Sequence, residues 1–365
     1  MSGHGDGLRD VTVADVAARA GVAKATAARA LGDYGAVSAK VRARVQDAAS
    51  ALGYRPNAVA RSMSTGRSKA IGIIVGDIEN SAFAQATRGA ADVAEAAGYD
   101  LILSNSREEV EAERKAIDLH LAKRVDGLVI APASSTHPAN FLDIVDAGRP
   151  LVFFDRIVHG VEADAVVAAN REGATRLADV LLQAGHRRIA YVSALDDISS
   201  GGFRSRWDAE SREFVPGLKS SVIAERITGF TGALQRAGIG DPLAYVRLGA
   251  DEENARRIVS DLVTGDDAVT AIVASDSMVS FHAFRAIRDL GLRIPDDISL
   301  VGFDNAPWTS VTEPAITVIS QPSRELGALS TQILIERIEG ATGPMRVQVL
   351  PQELIERGSV SRPRG

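Results

Sequence analysis

Two spacings of apolar residues divide the chain. Over residues 12–31 they recur every three to four positions: Val13, Val16, Ala17 and Ala20, then Ala27, Ala30 and Leu31. That period predicts two short helices, each with one apolar face. Thr12 is placed to cap the first, because its hydroxyl can accept a hydrogen bond from an orphan amide at a helix start. Gly21 stops it, since glycine enters a left-handed turn without a Cβ penalty. The second helix, roughly Lys24 to Leu31, leaves Lys24, Ala25, Thr26, Ala28 and Arg29 outside. Small residues at 17 and 27 let the two helices cross closely. Such a pair is a helix-turn-helix, whose second helix fits the major groove of DNA; an alanine-rich pair in an ordinary bundle has the same spacing.

Ser38 caps a predicted third helix, about Ala39 to Leu52, with Val41, Val45, Ala48, Ala49 and Leu52 as its stripe and Gly53 as its stop. A three-helix head of this size buries little core and is marginal alone. Asn57 can cap a short helix through about Met63, followed by a Ser/Gly/Lys linker to Lys69. A helix that short needs a partner to fold against. The glycine-rich residues 1–10 read as a flexible tail.

From Ala70 the spacing changes. Continuous aliphatic runs alternate with amphipathic stretches: 71–75, 99–103, 127–131, 151–154, 165–168, 188–192, 271–274 and 298–301. Apolar strands separated by helices mean parallel sheets covered on both faces, and nearly 300 residues of this pattern favours two doubly wound lobes. The predicted class is α/β. The expected divisions are a tail at 1–10, a helix-turn-helix domain at 11–56, a hinge helix and linker at 57–69, and a core at 70–365. Within the core, lobe one is expected over about 70–165 and 296–320, and lobe two over about 166–295 and 321–358.

Charge sharpens this division. The whole chain carries −6, but residues 1–69 carry +6 and the remaining 296 carry −12. A basic head on an acidic body suits a phosphate-binding module attached to something that must not adhere to DNA. There is no cysteine, hence no disulfide or thiolate metal site. No run approaches the ~20 apolar residues of a membrane span, and the N-terminus has no apolar signal core, so a cytoplasmic protein without a membrane partner is expected. The six histidines have no metal-ligand spacing, and no dinucleotide fingerprint, phosphate loop or nucleophile elbow is present. No metal, cofactor, catalytic residue or enzymatic activity is therefore expected.

In doubly wound sheets ligands sit beyond the carboxyl ends of the strands. Asp77, the pair Asp155-Arg156, the pair Ser275-Asp276 and Asp304 each follow such a run. Singly, each reads as a loop residue or a helix cap, as Asp276 would for a helix from Ser277. Together they point to a cleft for a polar, hydroxyl-rich ligand.

The order of these features resembles the LacI/GalR family of bacterial transcription regulators. The segments carrying the resemblance are Val11–Val22, Val37–Arg42, Leu52–Asn57 with Ala60–Ser62, Asp289–Asp304, Gln321-Pro322, Leu326-Gly327 and Pro351–Gly358. It implies a helix-turn-helix head, a hinge helix and a core of two lobes like a type I periplasmic sugar-binding protein. It implies a homodimer on double-stranded operator DNA, as a repressor controlled by a small effector, most commonly a carbohydrate. DNA contacts are implied for Thr12, Lys24, Ala25, Thr26, Arg29, Asn57, Arg61 and Met63, the last as an apolar wedge in the minor groove. Effector contacts are implied for Asp77, Phe83, Arg156, Arg226, Asp276 and Asp304.

This chain departs from the family pattern in several places. Ala23 replaces a usual serine cap, Met63 a usual leucine and Ser275 a usual asparagine. Ala250 falls where an aromatic platform is common. Residues 196–222 are unusually long, and Trp207 within them is either a substitute aromatic on a lid or part of a surface loop. The chain lacks a C-terminal leucine heptad, so a dimer is expected. A solute-binding receptor without a DNA role is the competing reading of the core.

Overall fold

The structure, a computed structural model, describes residues 11–32, 35–54, 67–195, 207–208, 213–214 and 219–364, with backbone alone at 207–208 and 213–214. The expected tail and hinge helix lie outside the described residues. The chain divides into two units, Met1–Lys69 and Ala70–Gly365.

The first unit has helices α1 (Val13–Ala20), α2 (Lys24–Gly32) and α3 (Ala39–Ala51). α1 begins in a reciprocal cap. The Asp15 carboxylate accepts from the Thr12 backbone N–H at 2.8 Å, and the Asp15 N–H donates to the Thr12 hydroxyl at 3.4 Å. Gly21 ends α1 at φ 61°, the left-handed turn that glycine favours. Val16, Ala17, Ala20, Ala27, Ala30, Val45, Ala48 and Ala49 form the core. No side chain in that set is larger than valine, and partly buried Leu31, Leu52 and Tyr54 pack around it, so the fully buried core of the head is small.

The second unit has two six-stranded sheets. Strands β1 (Ala70–Val75), β2 (Asp100–Asn105), β3 (Leu128–Ile130), β4 (Leu151–Phe154), β5 (Asp164–Ala168) and the late strand Val347–Leu350 form one, wholly parallel. β6 (Ile189–Val192), β7 (Trp207–Asp208) and β8 (Glu213–Phe214) come next in sequence; β7 and β8 pair only as a small hairpin. β6 joins the second sheet with β9 (Val246–Arg247), β10 (Ala271–Ala274), β11 (Ser299–Phe303), β12 (Thr317–Ser320) and an antiparallel edge strand. That edge is β14 (Glu353–Ile355), which follows β13 (Val347–Leu350).

This topology corrects the expected lobe boundaries. Residues 164–168 belong wholly to lobe one, and 299–320 belong to lobe two rather than lobe one. β11 lies in register beside β10, with Val301 opposite Val273, and its five residues are all buried. Residues 323–350 return to lobe one rather than lobe two. There the helix Ser323–Ile338 buries Leu326, Ile333, Leu334 and Ile335 with Phe83, Ala86 and Ala90 of the helix Ser81–Ala96. The two helices nearly touch: a Cβ on Gly327 would lie 1.9 Å from the Ala86 carbonyl oxygen, and one on Gly89 would lie 2.0 Å from that of Arg324. Only glycine permits that approach, which fixes the late helix on lobe one. The chain thus passes between lobes three times, after Ala168, after Ser320 and after Leu350.

Candidate functional site

On the head, Lys24, Ala25 and Arg29 are exposed along α2, Thr26 and Ala28 are half-buried, and Ala27 and Ala30 lie beneath. Three of the five residues expected outside are therefore exposed, and Thr26 and Ala28 are partly covered. The Arg29 stem lies over the next turn: a Cβ on Gly35 would be 3.1 Å from its Cδ. Thr12 already uses its hydroxyl, which donates to Asp15 at 2.7 Å. Asn57, Arg61 and Met63 lie outside the described residues.

In the second unit a cavity of about 420 Å³ opens between the carboxyl ends of the two sheets. Asp77, Phe83 and Arg156 line it from lobe one, and Arg226, Asp276 and Asp304 line it from lobe two. All six residues named for an effector therefore face one space. They arrive from separate strand exits: Asp77 two residues beyond β1, Arg156 two beyond β4, Asp276 two beyond β10 and Asp304 one beyond β11. Arg226 comes from the helix Ser221–Arg236, whose N-cap is Ser220.

Each charged group is held. Arg226 donates from Nε to Asn170 Oδ1 at 2.9 Å and from Nη1 to the Ser275 carbonyl. Its Nη2 has no hydrogen-bond partner among the described residues. Arg156 grips Glu108 with both terminal nitrogens, Nη2 reaching Oε1 at 3.0 Å, and also donates to the Pro132 carbonyl. Such paired contacts fix a guanidinium plane. Asp276 caps the helix Ser277–Asp289, accepting from the Met278 and Val279 N–H groups at 2.9 and 3.0 Å, and takes the Ser275 hydroxyl at 2.7 Å. It is both a helix cap and a wall of the cleft.

Asp155 and Asp304 mark the same place in the two lobes. Both follow a strand directly and both sit in left-handed backbone, at φ 64° and φ 72°. Aspartate tolerates that region better than most residues, and here it turns each carboxylate into the cleft. Burial pushes both carboxyls above the ordinary range, against the pull of Arg156 on Asp155 and of Arg226 on Asp304. Phe83 meets Phe154 edge-on at 6.2 Å as an apolar wall.

Several lining residues escaped the sequence reading. Glu108 lies three positions past β2 and obeys the same strand-exit rule at longer range. Lys219 belongs to the long segment before Ser221; its carbonyl accepts from the Ser135 N–H across the cleft rim at 2.8 Å. Gln321 carried a motif in the sequence and lines the cavity too. Ala250 is fully buried in the core of lobe two and is not among the lining residues. The lid expectation for Trp207 concerns a side chain outside the described residues. Among the described residues no group of histidine and carboxylate side chains is arranged for a metal, and no helix is long and apolar enough to cross a membrane.

Comparison with known proteins gives three family matches along the chain. Residues 12–57 match the model described as bacterial regulatory proteins, lacI family. Residues 68–210 match periplasmic binding proteins and sugar binding domain of LacI family, and residues 178–360 match a periplasmic binding protein-like domain. A ribose operon repressor of Halalkalibacterium halodurans is 31% identical over 329 residues, 90% of each chain. The transcriptional regulator GalS of Salmonella typhimurium is 28% identical over 352 residues, 96% of this chain and 97% of its own. Among solved structures, the lac repressor dimer bound to operator and the anti-inducer ONPF matches with TM-score 0.79 and 26% identity, covering 97% of this chain and all of that one.

Proposed function

This chain belongs to the LacI family of bacterial transcriptional regulators and is a repressor of that family; from that premise we propose that a neutral, hydroxyl-rich small molecule bound between its lobes controls its grip on operator DNA. The observation that carries the effector reading is the convergence of Asp77, Phe83, Arg156, Arg226, Asp276 and Asp304 on one cavity of about 420 Å³. Arginine and carboxylate groups facing each other across such a space take vicinal hydroxyls by paired hydrogen bonds. Phe83 and Phe154 offer an apolar wall for a sugar ring. Five acidic side chains line the cavity against three basic ones, a balance that disfavours a phosphorylated ligand.

In this reading α2 enters the major groove with Lys24, Ala25 and Arg29 outermost and the half-buried Thr26 beside them, and Asn57, Arg61 and Met63 complete the contact as a homodimer. Effector binding changes the lobe angle and shifts operator affinity by a coupling of roughly 1–3 kcal/mol.

The test has two arms on the intact chain. Thermal melting with D-ribose, D-galactose and glucose 6-phosphate should show one neutral sugar raising the midpoint and the phosphate ester failing to, because a ligand of the folded state stabilises it. Selection from a random duplex library should enrich one two-fold sequence, bound with a steep salt dependence. A midpoint raised only by the phosphate ester rejects the effector class. A library left unenriched rejects the DNA role.

A further inference from the structure

Each of the three passages between the lobes delivers one carboxamide to the same place. Asn170 follows the first, Gln321 the second and Gln352 the third. Gln352 Nε2 is shared between Asn170 Oδ1 at 3.4 Å and Gln321 Oε1 at 3.5 Å. The outer ends of this chain are cleft residues. Arg226 donates to the same Asn170 oxygen, and Gln321 donates to Asp304. One hydrogen-bonded line therefore runs Arg226–Asn170–Gln352–Gln321–Asp304, through every strand of polypeptide that joins the lobes.

Gln352 is the slack member of that line. Both of its bonds are long, close to the limit at which a hydrogen bond holds. Its Oε1 is buried without a partner. The oxygen lies so close to the helix Asn170–Gln183 that a Cβ on Gly173 would come within 2.0 Å of it. Its backbone is not slack, since Arg176 donates to the Gln352 carbonyl at 3.0 Å. A buried acceptor left unpaired is costly, so this amide is weakly anchored on both sides, and a small rotation between lobes can shorten one of the two long Nε2 bonds at the expense of the other.

We propose that Gln352 is a positioning residue that makes the hydrogen bonding of Arg226 and Asp304 and the angle between the lobes depend on one another. A ligand that draws Arg226 or Asp304 toward itself loosens that residue's bond to Asn170 or Gln321, and Gln352 resolves the imbalance by moving toward one side. The inference rests on the reading of the cleft as the effector site and of the lobe angle as the control of operator affinity.

The test uses the full chain and a duplex that the wild-type protein enriches from a random library, with a scrambled duplex as control. Gln352→Met keeps the length of the side chain and removes both polar atoms. It should change the affinity for the enriched duplex by about fivefold or more and leave scrambled binding within about twofold. Gln321→Met should act similarly, and the double variant should resemble either single one, because a line cut once is not cut again. A role in packing alone gives additive effects.

Unchanged affinity in Gln352→Met, strict additivity in the double variant, or an equal loss on both duplexes overturns the proposal. Should Gln352→Met fail to melt cooperatively, Gln352→Glu takes its place under the same thresholds. Failure of both to fold marks Gln352 as structural and overturns it as well. If the wild-type chain enriches no duplex, the functional reading itself falls and takes this inference with it.

Discussion

The guanidinium carbon of Arg226 lies 3.9 Å from the centre of the Phe303 ring, one residue before the left-handed Asp304. The aromatic face holds the cation flat while Asn170 and Ser275 take two of its nitrogens. Lysine keeps the charge and loses both the plane and the fork. Arg226→Lys should therefore weaken binding of whichever sugar stabilises the wild-type chain by about tenfold or more, or roughly 1.4 kcal/mol. Isothermal titration on the two proteins measures this directly. Equal affinity would remove Arg226 from the ligand contacts.

The contact of Gly327 with the Ala86 carbonyl predicts a stability effect. Alanine in place of an exposed helical glycine usually stabilises by about 0.5–1 kcal/mol. At Gly327 the new methyl would sit 1.9 Å from a backbone oxygen, and overpacking of about 1–3 kcal/mol outweighs the gain. Gly327→Ala should lower the urea midpoint. Gly232→Ala, whose new methyl would meet only the end of the Arg236 side chain at 3.6 Å, should leave it level or raise it.

His120 gives a pH dependence. It is fully buried in lobe one, with Nε2 3.0 Å from the Ser104 hydroxyl and Nδ1 without a partner. A Cβ on Gly72 would be 2.7 Å from that Nδ1, so the ring has no room to turn. Burial pushes its pKa down to about 4. The folded state therefore resists a proton that the unfolded chain accepts near pH 6.5. Stability from this group is complete above about pH 6.5 and is lost as the pH falls toward 4, by roughly 2–3 kcal/mol at most. The buried Asp155 and Asp304, with raised values, act in the opposite sense as carboxyls protonate. The difference between wild type and His120→Gln isolates the imidazole. Urea midpoints at pH 7 and pH 5 should drop for the wild type and much less for the variant.

Arg29 is exposed on the outer face of α2 with its stem over the Gly35 turn. If it meets a phosphate, Arg29→Ala should weaken binding of the enriched duplex and reduce the slope of log affinity against log salt by about one per head. An unchanged slope with lower affinity would assign it to a base edge instead.

Much of this was legible in residue order, for local reasons. The helical stripe of the head and the eight aliphatic runs show in sequence because burial on one face or two imposes a period on neighbouring residues. The strand-exit acids were legible for the same reason, as each lies within three residues of a run. The lobe boundaries were not legible. Which sheet receives 299–303 or 347–350 is decided by partners far away in sequence, and the local pattern of either strand suits both sheets. β13 hides further because Val347 and Val349 are exposed at a sheet edge. Glu108 was missed because its reach into the cleft depends on a turn with Arg107 and Glu108 both at positive φ. Asn170, Gln321 and Gln352 carry no charge and no period, and only the threefold passage of the chain brings them together.

That threefold passage bears on how the protein is made. Lobe one lacks the helix that fills its face and its outermost strand until residue 350 has left the ribosome. More than half the polypeptide must emerge while a sheet begun at residue 70 waits half-covered, its apolar side open to chaperones and to neighbouring nascent chains. A premature stop between residues 321 and 350 would spoil the earliest-synthesised lobe as well as remove the edge strand of the other. The late gene positions should be as intolerant of truncation as the early ones.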